Sequence, residues 1–108
     1  MSYKIEITDN FKKEAKKLIK KYASLRAEIE ELGKKLSENP TLGTPLGNDV
    51  YKIRLSIASK NKGKSGGARV ISFVKIIETT VFLLSIYSKG DKDSISNQEI
   101  DELLKDYL

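Results

Sequence analysis

Apolar Tyr3, Ile5 and Ile7 alternate with Lys4 and Glu6, the period of a short strand with one buried face. Thr8, Asp9 and Asn10 can cap the helix that follows. Its apolar positions, Phe11, Ala15, Leu18, Ile19 and Tyr22, form one helical stripe. The opposite face carries Lys12, Lys13, Lys16, Lys17, Lys20 and Lys21, which suits either an RNA-contacting surface or a solvated face. Ser24 is expected to cap a second helix, with Leu25, Ile29, Leu32 and Leu36 inward and a more acidic outer face. The two helices read as an antiparallel hairpin. Asn39-Pro40 ends it, because the residue before proline avoids the helical region. Gly43, Pro45 and Gly47 mark residues 41–48 as a loop.

From Val50 the period becomes two. Tyr51, Ile53, Leu55 and Ile57 share one face; Lys52, Arg54, Ser56 and Ala58 share the other. A loop of Lys, Asn, Gly and Ser covers residues 59–67, and strands are predicted at 68–77 and 79–87. The last is apolar on both faces, which places it inside a sheet. The short connection at 78–80 makes these three strands an antiparallel meander. Ser96-Asn97-Gln98-Glu99 is a capping box, with Ile95 and Ile100 placed as a hydrophobic staple. Ile100, Leu103, Leu104 and Tyr107 give the final helix its stripe. The predicted order is β-α-α-β-β-β-α: one small α+β domain over residues 1–108, a helical hairpin on a mainly antiparallel four-stranded sheet.

At 108 residues, 39% hydrophobic and 32% charged, the chain fits one folded domain. No apolar run approaches the ~20 residues of a membrane helix, and the first residues have no signal-peptide core. Cysteine and histidine are both absent, which removes disulfides, thiolate metal sites and Ser-His-Asp or Cys-His catalysis. The net charge of +5 is unevenly spread. Residues 51–75 hold Lys52, Arg54, Lys60, Lys62, Lys64, Arg69 and Lys75 and no carboxylate, whereas residues 76–108 are net acidic. Such a segment suits a phosphate backbone or an ordinary basic surface.

Residues 58–65, Ala-Ser-Lys-Asn-Lys-Gly-Lys-Ser, resemble a P-loop with alanine for the first glycine. A P-loop needs a helix directly after its Lys-Ser. Here Gly66-Gly67 and a β-branched strand follow, so nucleotide binding is rejected, while loose phosphate binding by the lysines is retained.

With the apolar face of the second strand against the helices, Lys52 and Arg54 turn to the open face of the sheet. Arg69, Lys64, Lys89 and Tyr87 are expected beside them, forming a groove for a polyanion in which Tyr87 stacks a base. Cleavage of RNA by its own 2′-oxygen needs a base, an acid and cations for the phosphorane, and no metal. Crowded lysines lower one another's pKa, and arginine holds phosphate bidentately. The same groove suits binding without cleavage.

Tyr51-Lys52-Ile53-Arg54-Leu55, the string Lys-Ser-Gly-Gly-Ala-Arg-Val-Ile at 64–71, and residues 81–89 resemble the RelE/ParE superfamily of bacterial type II toxins, within it the HigB-like members. The resemblance spans nearly the whole chain. It implies an mRNA interferase: an endoribonuclease that cleaves translated message on the ribosome, without metal or cofactor. It implies catalytic roles for Lys52 (proton transfer), Arg54, Arg69 (scissile phosphate) and Lys89 (leaving group), and RNA contacts for Lys60, Lys62, Lys64 and Tyr87. Lys16 and Lys20 on the first helix would meet ribosomal RNA. The implied partners are the ribosome, mRNA and an antitoxin of helix-turn-helix type, with operator DNA reached only through that antitoxin; the implied location is the cytoplasm, which agrees with the absent signal sequence and cysteine. Some relatives carry a stacking tyrosine where this chain has Ile95, and ParE-like members poison DNA gyrase. A gyrase poison and an inactive toxin fold that only binds antitoxin or nucleic acid are therefore the alternatives.

Overall fold

The computed structural model describes residues 2–60, 67–92 and 94–108, Lys60 by its backbone only. The elements are β1 (Lys4–Ile7), α1 (Asp9–Lys21), α2 (Leu25–Glu38), β2 (Thr44–Gly47), β3 (Val50–Leu55), β4 (Ala68–Lys75), β5 (Thr80–Ser88) and α3 (Asn97–Leu104). Short 3-10 turns follow β3 at Ala58–Lys60 and β4 at Ile76–Glu78. The sheet order is β1-β5-β4-β3-β2, with β1 parallel to β5 and every other pair antiparallel. The predicted meander is β3-β4-β5, and the strand apolar on both faces, β5, lies inside the sheet.

The sheet has five strands, not four. The extra one, β2, comes from residues read as a loop. It is a short exposed edge strand, paired among the described residues to β3 alone, with an irregular register between Pro45 and Gly47. Proline and glycine are tolerated at such an edge, where ladder donors face solvent. The turn into β3 places Asn48 and Asp49 at φ 55° and 63°, the left-handed pair of a tight hairpin. Gly43 sits at φ 108°, where a Cβ would meet the Lys52 carbonyl at 2.5 Å.

Thr8 caps α1 as expected: its hydroxyl accepts the Phe11 N–H at 3.2 Å and donates to the Leu83 carbonyl at 2.8 Å, joining the helix start to β5. Ser24 does not cap α2. Its backbone is already helical, and its hydroxyl accepts the Ser59 N–H at 3.0 Å and bonds Glu28 at 3.2 Å. Glu28 in turn accepts the Ala58 N–H at 2.7 Å. Ser24 is thus recruited by the turn that follows β3, a tertiary contact that outcompetes the local cap.

The two faces of the sheet carry separate cores. Phe11, Leu18, Leu25, Leu32 and Leu36 of the helical hairpin pack on Ile53, Val70, Val74, Val81, Leu83 and Ile86. On the other face, Val50, Ile71, Phe73, Leu84 and Tyr87 pack beneath Ile100 and Leu104 of α3. That face is therefore not open, as the strand pattern alone implied: α3 covers part of it. The capping box of Ser96 and Glu99 forms, and Ile95 and Ile100 both join this second core.

Candidate functional site

The register of β3, β4 and β5 places Arg54 opposite Arg69 and Arg69 opposite Tyr87. Strands stand about 4.8 Å apart, so these three residues form a row about 10 Å long. Lys52 lies two residues along β3, opposite Ile71, and alternation puts it on the Arg54 side. Two guanidinium-bearing residues directly opposite on neighbouring strands repel each other, an arrangement that an anion between them relieves. The register thus brings the basic triad expected from the strand pattern together on the α3 side of the sheet.

The three cations differ in exposure. Arg54 is exposed, Lys52 is half-buried, and Arg69 is 5% exposed, with Nη1 donating to the Ala68 carbonyl at 3.1 Å. Burial makes Arg69 a positioned guanidinium rather than a mobile surface charge. Gly67 permits this placement. A Cβ there would lie 2.1 Å from the Leu55 carbonyl, so only glycine lets the start of β4 approach β3. Lys89 follows β5 directly; its N–H donates to the Gly67 carbonyl at 3.0 Å and carries the pairing one step further.

Tyr87 is not an open stacking platform. It is 6% exposed, and the Lys92 ammonium stands 5.4 Å from its ring centre. Its side of the sheet is set by an irregularity: Ile71 pairs with Ser85 and Ser72 with Leu83, so Leu84 has no partner across the ladder. The alternation reverses there, and Tyr87 joins Leu84 on the α3 side while Leu83 and Ile86 face the hairpin. The strand edge beyond β1 is satisfied by α1. Asn10 donates to the Leu84 carbonyl at 2.9 Å, and Glu14 accepts from Ser85 Oγ at 2.7 Å and the Ile86 N–H at 3.3 Å.

Burial pushes the Tyr87 phenol above its ordinary value; the nearby Lys92 and Arg69 charges pull the other way, and Glu99 adds to the rise. Stability is therefore unaffected below the ordinary tyrosine value of 10.0 and falls as pH rises from there through the folded value. The hydroxyl is buried with no hydrogen-bond partner among the described residues. Tyr87→Phe should stabilise the fold by about 1 kcal/mol in urea denaturation and remove its share of the alkaline loss.

The other predicted site residues divide clearly. Lys16 and Lys20 are exposed on α1, in the hairpin layer across the sheet from Arg69. They do not join the row. Lys62 and Lys64, with most of the P-loop-like string, lie outside the described residues, as does the Lys60 side chain. No cluster of carboxylates suited to a metal occurs among the described residues. Sequence reading missed Lys92 and Glu99. The capping box pointed to Glu99 only as a helix-start residue; their pairing is tertiary.

Solved structures share this architecture. The free form of a doubly substituted E. coli toxin RelE superposes with a TM-score of 0.62 at 21% identity, covering 100% of both chains. The intact E. coli RelBE toxin-antitoxin complex matches at 0.60 and 22% identity over 79% of this chain and 94% of that one. A substituted E. coli RelE bound to a peptide of antitoxin RelB matches at 0.63 and 22% identity, covering 100% of both chains. The fold is thus shared with E. coli RelE: three helices about a five-stranded mixed sheet. The model of the RelE toxin of the RelE/RelB toxin-antitoxin system matches residues 3–106, and the chain belongs to that family. No helix among the described residues is long and apolar enough to cross a membrane.

Proposed function

We propose that this toxin is an endoribonuclease that cuts translated mRNA on the ribosome, in the cytoplasm, and is restrained by a cognate antitoxin. The observation that carries this reading is the Arg54–Arg69 pair placed directly opposite across β3 and β4, with Lys52 on the same side. Membership of the RelE family supports it, as does the antitoxin bound to the related E. coli RelE. In the proposed reaction Lys52 takes the proton from the ribose 2′-hydroxyl. The 2′-oxygen attacks the adjacent phosphorus, and the bond to the leaving 5′-oxygen breaks. Arg69 and Arg54 neutralise the phosphorane, which is where preorganised cations are most effective. Lys89 donates a proton to the departing 5′-oxygen. The products are a 2′,3′-cyclic phosphate and a 5′-hydroxyl end. The residues 51–75 supply no carboxylate for two-metal chemistry, so the cations carry the charge stabilisation. Lys60, Lys62 and Lys64 track the RNA backbone, and Lys16 and Lys20 meet ribosomal RNA from the hairpin layer.

Brief induction in bacteria tests this directly. New 5′-hydroxyl ends, ligatable only after phosphorylation, should appear within translated frames and disappear when initiation is blocked. Growth arrest with gyrase-dependent DNA breaks and no new RNA ends would overturn the reading.

A further inference from the structure

Lys92 lies in the polar loop between β5 and α3. Its ammonium stands 5.4 Å from the Tyr87 ring centre and is ion-paired with Glu99. Glu99 is also the residue that completes the capping box of α3. Its Oε1 accepts the Ser96 N–H at 3.3 Å, and its own N–H donates to Ser96 Oγ at 3.1 Å. Lys92 and Glu99 line a cavity of about 370 Å³ between α1, β5 and α3, which the carboxylates of Glu14 and Glu102 also line. The Lys92 and Glu99 side chains are 33% and 49% exposed, so the pair can be reached from solvent.

We propose that Lys92 is a phosphate-binding residue of the RNA site and that Glu99 is a tethered competitor for it. The carboxylate occupies, in the free protein, the place an RNA phosphate takes in the complex. This rests on the RNA reading above. The row Arg54–Arg69–Tyr87 continues to Lys92 through its contact with the Tyr87 ring. A strand that starts at the exposed Arg54 and passes over the buried Arg69 and Tyr87 reaches Lys92 next. A half-exposed Lys–Glu pair at the surface is weak, and a phosphate presented beside Arg69 displaces it. Release of Lys92 leaves the Ser96–Glu99 cap hydrogen bonds in place, so α3 keeps its start. Glu99 thereby lowers RNA affinity without being required for folding.

Glu99→Gln is a clean probe, because glutamine also serves in a capping box. The ligand is a short message with 2′-O-methyl groups, which cannot be cleaved, seated on purified ribosomes; binding of the labelled protein is read by fluorescence anisotropy at several salt concentrations. Glu99→Gln should tighten binding about threefold. Lys92→Ala should weaken it and reduce the slope of log K against log salt by about 0.7, the value for one phosphate contact on a single strand. In the Lys92→Ala background, Glu99→Gln should change nothing. An equal gain with and without Lys92, or an unchanged salt slope, overturns the proposal. Inorganic phosphate, followed by NMR at the Lys92 side chain, separates the two readings. If RNA fails to bind while phosphate displaces Glu99 from Lys92, the RNA reading falls and the anion site stands. If RNA binding depends on Arg69 but ignores Lys92 and Glu99, the RNA reading stands and the competitor falls. If neither ligand binds, both are overturned.

Discussion

Arg69→Lys should cripple RNA cleavage while leaving the fold intact, with turnover of a ribosome-bound message falling by about 10²–10³-fold. Lysine keeps the positive charge but loses the planar fork that grips two phosphate oxygens at once. Arg69 is 5% exposed and fixed by its bond to the Ala68 carbonyl, so a shorter reach cannot be recovered by movement of the side chain. Arg54→Lys should lose less, because Arg54 is exposed and adjustable. Cleavage of a defined message on purified ribosomes, beside circular dichroism of each variant, checks both. Equal activity of Arg69→Lys and the parent would show that Arg69 serves only the sheet.

Gly67→Ala should lower the melting temperature by about 15–25 °C and remove activity with it. The added Cβ would sit 2.1 Å from the Leu55 carbonyl and 3.0 Å from Ser56 Cα, both backbone neighbours that no side-chain rotation can clear. Either β4 moves off β3 or the start of the ladder opens, a cost of about 4 kcal/mol against a fold worth roughly 5–15. Opening the ladder also separates Arg69 from Arg54, so stability and activity fall together. Gly33→Ala is the contrasting case. Gly33 lies inside α2 with nothing within 4 Å of the added Cβ, so alanine should raise stability by about 1 kcal/mol. A thermal melt of both variants decides the point. A shift under about 5 °C for Gly67→Ala would show that the close approach of β4 to β3 is not needed.

The helices and the three meander strands were legible because each buries one face, and burial imprints a period on the sequence. The capping box at Ser96 and Glu99 was equally plain, since it is a contact between residues three apart. The edge strand β2 was not. Its glycines and proline signal a loop, and only pairing with β3 makes it a strand. Ser24 misled for a related reason: its hydroxyl serves the Ser59 N–H across 35 residues instead of its own helix.

The candidate site divides in the same way. Alternation along one strand sufficed to put Lys52 and Arg54 together, and residues 51–75 stood out as a carboxylate-free run in the middle of the chain that carries seven cations. The exposure of Tyr87 and the company it keeps required three dimensions. Asn10 and Glu14 of α1 satisfy the edge of β5 where Leu84 drops out of the ladder, and that slip turns Tyr87 toward Arg69 and α3. The pairing of Lys92 with Glu99 over the Tyr87 ring follows from where α3 docks. Sequence alone determined which segments have a face to bury and where positive charge accumulates, because both are properties of near neighbours along the chain. The tertiary structure decided which side chains face one another, because a one-residue slip in a strand or the seating of a helix depends on partners more than seventy residues away.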